Sequence, residues 1–180
     1  MAKLIMWNII TLDGYFEGSK KWDLPFHELV WGEELEKLSI EQLESASYLV
    51  FGRVTYEGMA SHWKKEKGRI ADLMNSIPKL VFSKTLKNTE WNNSHLIKTN
   101  ASEKISELKA THEKNLFLFG SADLASTFIK DGLFDILRIG IAPVILGQGS
   151  PLFKPGIKVE LRLQSERQLK NGGIVLDYRI

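Results

Sequence analysis

The stretch YLVFGRVTYEGM, residues 48–59, sets the fold problem. Four apolar or aromatic residues run directly into Gly52 and Arg53, and Thr55 then opens a segment of helical character. α/β proteins hold phosphate groups at such strand-to-helix joints. A helix start presents free backbone N–H groups and the positive end of the helix dipole. A glycine at a tight turn accounts for the joint equally well, so the neighbouring segments have to discriminate.

Outward from this joint, apolar runs of strand length alternate with segments of helical period. Strands are expected at Leu4 to Ile10, Tyr48 to Phe51, Lys79 to Phe82, His95 to Lys98 and Leu116 to Phe119. Further strands are expected at Ile136 to Ile141, Val159 to Gln164 and Ile174 to Arg179. Helices are expected at Glu33 to Ala46, Thr55 to Trp63, Arg69 to Ser76, Ser102 to Thr111 and Ala122 to Lys130. Asn100 with Glu103 matches a capping box, and Gly132 marks the stop of the last helix. The alternation implies a mostly parallel sheet with helices on both faces, in one domain spanning 1–180. After Asp135 no helix intervenes, so the sheet is expected to finish with antiparallel strands.

Two other strand ends repeat the punctuation of the first. Ser83 and Lys84 follow VF at 81–82, and Gly120 and Ser121 follow LFLF at 116–119. In a parallel sheet these ends share the edge where open α/β folds bind ligands. Arg53 and Lys84 would add fixed positive charge there, and the three together favour a nucleotide over a chance glycine turn.

The bulk numbers exclude other classes. A formal net charge of +2 over 180 residues gives no electrostatic case for nucleic acid or a membrane surface. There is no cysteine, which removes disulfides, thiolate nucleophiles and cysteine zinc sites. No apolar run reaches the roughly 20 residues that span a bilayer. The N-terminus contains Trp7, Asn8 and Thr11 and lacks a cleavage pattern, so it is read as a first strand in a cytoplasmic protein. His27, His62, His95 and His112 have neither metal-ligand spacing nor a nucleophile motif, and are read as structural or exposed. The five tryptophans are read as core or interface, except Trp22, which follows TLDG in a loop placed to cover a substrate.

Four motifs carry a family resemblance. GRVTYEGM at 52–59 resembles a segment of dihydrofolate reductases, and TLDGYFEG at 11–18 resembles the opening of the reductase domain of bifunctional riboflavin-biosynthesis enzymes. FGSADLASTFI at 119–129 is similar to their glycine-rich turn before a helix. APVILGQGSPLF at 142–153 is similar to their alanine–proline–leucine–glycine loop. The motifs occur in the family's order across nearly the whole chain. The resemblance implies a dihydrofolate-reductase-like three-layer α/β/α fold and a stand-alone reductase domain using NADPH on a small heterocyclic or carbonyl-type substrate.

On that resemblance, Gly52, Arg53, Thr55 and Tyr56 would meet the cofactor phosphates, and Ser83 and Lys84 the 2′-phosphate. Gly120, Ser121, Ala122 and Leu124 would line the pyrophosphate and the nicotinamide ribose. Asn8 and Ile9 would edge the nicotinamide pocket. Thr11 would edge that pocket too and Asp13 would lie near the substrate, with Trp22 covering it; the proton would come from Asp13, a hydroxyl such as Thr11, or water. Relatives of this type dimerise, and the apolar final third fits a homodimer. Four features depart from the pattern: Ser121 and Ala122 stand where relatives carry further glycines, Thr11 replaces the usual serine, the zinc-binding deaminase domain is missing, and the pterin-binding acidic residue has no clear counterpart, although Asp23 and Glu28 lie in its region. These departures leave two rival classes open, a nucleotide-binding module with weak catalysis and a structural or regulatory homo-oligomer.

Overall fold

The computed structural model describes all 180 residues. β1 (Leu4–Thr11) is followed by a short β2 (Tyr15–Glu17), a 3-10 turn (Pro25–Leu29) and α1 (Glu33–Glu44). Then come β3 (Ala46–Gly52), α2 (Arg53–Trp63), α3 (Arg69–Ser76), β4 (Lys79–Phe82), β5 (Ser94–Ile97), α4 (Ala101–Thr111), β6 (Asn115–Phe119) and α5 (Ala122–Lys130). The chain closes with β7 (Ile136–Ala142), β8 (Ser150–Pro151), β9 (Arg162–Gln168) and β10 (Ile174–Arg179). Eight strands form one sheet in the order β5-β4-β3-β6-β1-β7-β10-β9, and β2 pairs separately with β8. The six strands from β5 to β7 are parallel; β10 and β9 add the antiparallel end.

The central strands are apolar at successive positions because helices cover both faces. Leu4, Met6, Val50, Leu116 and Leu118 pack against Ile105 of α4 and Phe128 of α5. Their alternate neighbours Ile5, Leu49, Phe51 and Phe117 pack on the opposite face against Leu43 of α1, Tyr56 of α2 and Met74 of α3. The result is three layers. Where β7 meets β10, Arg138 and Asp177 face each other directly and form a two-pronged ion pair at 2.7 Å, with Gln42 of α1 accepting a third guanidinium bond.

Three local expectations are corrected. Asn100 does not cap α4 with its side chain: it sits at φ 56°, in the left-handed region, whereas a capping residue needs an extended backbone. The penultimate strand lies at Arg162–Gln168 rather than Val159 to Gln164. The tight turn at 169–173, closed by Leu169 N–H to Gly173 O, pairs Gln168 with Ile174 and pulls the strand toward it. The helix after Gly52 starts at Arg53, two residues earlier than expected. Gly132 does end α5. At φ 65° it donates its N–H to Ile129 O, and Leu133 donates to Phe128 O.

Candidate functional site

The parallel strands end on a common edge, and the first contacts there are between the joints themselves. Thr55, in the first turn of α2, faces Ser121 at the start of α5. Its Oγ1 accepts the Ser121 N–H at 3.0 Å and bonds the Ser121 hydroxyl at 2.9 Å. Ser121 Oγ in turn accepts the Gly52 N–H at 2.8 Å. These bonds hold Ser121 at φ 56°, a left-handed conformation in which relatives are expected to carry glycine. Gly120 is also left-handed at φ 53°, and a Cβ there would meet Thr55 Oγ1 at 2.8 Å. Asn8 ties the end of β1 into the same group, its Oδ1 accepting the Gly120 N–H at 3.0 Å.

Two helices therefore begin side by side, and neither start is capped by a side chain. The first N–H groups of such helices point outward unpaired and attract anions. Arg53, the first residue of α2, adds a cation there, half-committed to an exposed ion pair with Glu57. Asp123 carries the opposite charge in the first turn of α5 and is paired with Lys154. Farther along the edge, Ser83 Oγ accepts the Thr85 and Leu86 N–H groups and Lys84 is exposed.

Against this edge lies a cavity of about 580 Å³, walled by strand ends, α1, α2, α3 and the Pro25–Leu29 turn. Of the residues singled out in the sequence, Asn8, Ile9, Trp22, Thr55, Gly120, Ser121 and Ala122 line it. Gly52, Arg53, Ser83, Lys84 and Leu124 do not, and Leu124 packs against the α4/α5 core. Tyr56, expected near cofactor phosphates, is buried, and its hydroxyl accepts the Trp91 N–H at 2.9 Å. That contact makes it a core tie.

Thr11 and Asp13, expected to act on the substrate, lie off the cavity wall. Thr11 Oγ1 donates to Asp13 Oδ1 at 2.6 Å and accepts the Tyr15 N–H at 3.0 Å. The Asp13 carboxylate also accepts the Leu146 and Gly147 N–H groups, at 3.1 and 2.8 Å. Two of these bonds close the TLDG turn on itself, and the other two tie it to the VILGQG loop. The Thr11 hydroxyl, followed by the two backbone donors, holds the Asp13 pKa down at about 2, so this group carries no proton at neutral pH.

Several wall residues escaped the sequence reading. Trp7, Trp31 and Trp63 join Trp22 on the wall. His27, read as structural or exposed, lines the cavity with its Nε2 buried and without a partner. Burial lowers its pKa to about 4, which keeps the imidazole neutral. The only signal was WDLPFHELVW at 22–31, where aromatic residues flank a proline turn with no helical or strand period. Nothing in that pattern says which side chains face inward.

A three-layer sheet, uncapped helix starts on its parallel edge and an aromatic cavity beside them define a dihydrofolate-reductase-like α/β protein. The chain belongs to the RibD C-terminal domain family, whose model matches residues 2–175. It is 29% identical over 180 residues to the protein YyaP of Bacillus subtilis, covering 98% of this chain and 94% of YyaP. Among solved structures it is similar to a riboflavin biosynthesis protein from Shewanella sp. PV-4, with a TM-score of 0.82 at 21% identity and 98% of each chain covered. A pyrimidine reductase-like protein from Corynebacterium diphtheriae matches with a TM-score of 0.66 at 16% identity, covering 99% of this chain and 91% of that one. Dihydrofolate reductase from Enterococcus faecalis matches with a TM-score of 0.62 at 14% identity, over 98% and 95% of the two chains. The fold is the one these solved proteins share, and two of them carry reductase in their names. No helix is long and apolar enough to cross a membrane.

Proposed function

We propose that the protein is an NADPH-dependent reductase of a small heterocyclic or carbonyl-type substrate. The observation that carries this is the pair of uncapped helix starts, α2 and α5, meeting beside an aromatic cavity at the ends of parallel strands. The donor set fits a dinucleotide: backbone N–H groups and Arg53 for a pyrophosphate, and Ser83 and Lys84 for a 2′-phosphate. Gly120, Ser121 and Ala122 border the same place, and Asn8 and Ile9 stand where the strand end meets the cavity. When bound, a reduced nicotinamide supplies a hydride.

The chain's own part is to bind, orient and exclude water. The tryptophans and aliphatic side chains of the wall remove solvent from the reacting face and fix a ring against it. Transfer of a hydride to carbon needs one proton at the neighbouring heteroatom. Asp13 is not assigned as its source, because its carboxyl is ionised and accepts three hydrogen bonds from Thr11, Leu146 and Gly147.

NADPH and NADH titrated by calorimetry test the cofactor assignment. Lys84→Ala is expected to weaken NADPH roughly tenfold to hundredfold, the loss of one charge-assisted contact, and to leave NADH nearly unchanged. No binding of either cofactor to the wild-type chain would reject the reductase and favour an assembly role for the scaffold. Tight binding without turnover against pterins, flavins and quinones would favour a binding module, for which the side chains of Ser121 and Ala122 are the specific motive.

A further inference from the structure

His27 takes no side-chain part in the fold's hydrogen bonding. It sits on the Pro25–Leu29 turn with its ring edge-on to Phe26, centroids 5.0 Å apart, and its Nε2 is buried without a partner. Asn8 Nδ2, toward the end of β1, is buried and unmatched in the same way. The Asn8 amide has a fixed sense: Oδ1 accepts the Gly120 N–H, which leaves Nδ2 as a donor. Both residues line the cavity. Folded proteins seldom leave buried polar atoms unmatched, because each has lost its water for nothing. Two such atoms on one wall indicate what the cavity is shaped to hold.

The rest of the wall narrows the ligand further. Trp7, Trp22, Trp31, Leu35 and Met59 offer flat aromatic and adaptable apolar surface, which suits a planar ring. The charged residues there are Lys21 against Glu17, Glu28 and Asp123. A phosphate monoester carries about −1.5 to −2 charge at neutral pH, and away from the helix starts assigned to the cofactor it would meet a single cation, Lys21, against Glu17 and Glu28.

We propose that Asn8 and His27 form the polar edge of a substrate subsite in this cavity, and that the substrate is an uncharged planar ring with a hydrogen-bond acceptor and no sugar phosphate. Asn8 Nδ2 donates to a ring carbonyl or ring nitrogen, and the neutral His27 Nε2 completes the polar edge. The proposal rests on the reductase assignment for its chemistry and on the cavity alone for its binding.

Calorimetry on the full chain, with and without NADPH, tests it with two tricyclic probes: lumichrome, which is uncharged, and riboflavin 5′-phosphate. Lumichrome is expected to bind the wild type at least ten times more tightly than the phosphate. His27→Phe is expected to weaken lumichrome up to about tenfold, the worth of one hydrogen bond. Its melting temperature should hold or rise, because an unmatched buried polar atom has gone, and His27→Gln should recover part of the affinity. NADPH should bind all three proteins equally. Failure of lumichrome to bind, equal binding of the phosphate, or unchanged lumichrome affinity in His27→Phe would each overturn the subsite. So would a His27→Phe melting temperature that falls in step with lost binding, since the ring would then be structural. If NADPH alone fails to bind while the lumichrome pattern holds, the reductase assignment falls and the subsite stands.

Discussion

The Trp22 indole packs against α2 at Gly58 so closely that a Cβ on Gly58 would lie 1.6 Å from the ring. Trp22 holds φ 64°, a left-handed conformation costing a non-glycine residue roughly 1–2 kcal/mol, and donates its N–H to the Glu17 carboxylate. Gly58 in mid-helix costs about 0.5–1 kcal/mol relative to alanine. The two unfavourable conformations together seat one indole on the cavity wall.

Gly58→Ala is therefore expected to expel Trp22 while helix propensity offsets most of the lost packing. The tryptophan emission should shift to the red, and a cavity ligand should bind about tenfold more weakly, the share of an aromatic contact. The melting temperature should change little. A Trp22→Phe background should abolish the shift, and an unshifted emission in Gly58→Ala would show that the indole packs elsewhere.

Acid sensitivity should trace to His27. Its folded pKa of about 4 lies below the ordinary 6.5, so the unfolded chain binds a proton that the native chain refuses. Stability from this group is intact above pH 6.5, falls as pH drops from 6.5 toward 4, and levels off below that. Asp13 acts in the same direction in a lower window, from the ordinary 3.8 down to about 2. Melting temperatures measured from pH 7 to 4 should decline in the wild type and flatten in His27→Phe. A parallel decline in both proteins would remove His27 as the cause.

The architecture was legible in the sequence where burial on both faces leaves continuous apolar runs. Lys79 to Phe82 and Ile174 to Arg179 match the observed strands, and all five expected helices are present, with α2 starting two residues earlier and α1 ending two residues sooner than their periods indicated. Two-residue or three-residue pieces were not legible: Tyr15–Glu17 and Ser150–Pro151 exist only because they pair with each other across 130 residues or more of chain. At the site, glycine and hydroxyl punctuation marked the strand ends but left their use open. Thr55, Ser121 and Gly52 bond to one another, and Tyr56 turns into the core. His27 stayed hidden because burial and an unmatched nitrogen are properties of packing that no local pattern encodes.

Asp13 pins two loops, and substitution should show it. In Asp13→Asn the amide NH₂ replaces an acceptor and is turned toward donors, at Thr11 and Leu146 on the Oδ1 side or at Gly147 on the Oδ2 side. Backbone hydrogen exchange at 144–149 should speed up, NADPH affinity should hold, and turnover should fall only in step with stability. A proton-donating Asp13 predicts instead a loss of about 10²–10⁴-fold at an unchanged melting temperature. That result would return Asp13 to the chemistry and require its loop bonds to break during turnover.

The far edge of the sheet predicts assembly. All seven residues of β9 are exposed, its outer backbone groups have no neighbouring strand, and Leu163 is 49% exposed. Leu161 and Ile180, which flank the last two strands, add exposed apolar surface. An open backbone edge is a template for another chain, and the simplest closed solution is an isologous dimer. A homodimer is therefore expected, with an interface clearing about 1,000 Å² if it is stable. Leu163→Lys places a charge on that edge and should shift the molecule toward monomer without lowering the melting temperature of the monomeric fold. Light scattering at micromolar concentration decides between the outcomes. A monomer mass for the wild type would reject the dimer, and a dimer that survives Leu163→Lys would move the interface away from β9.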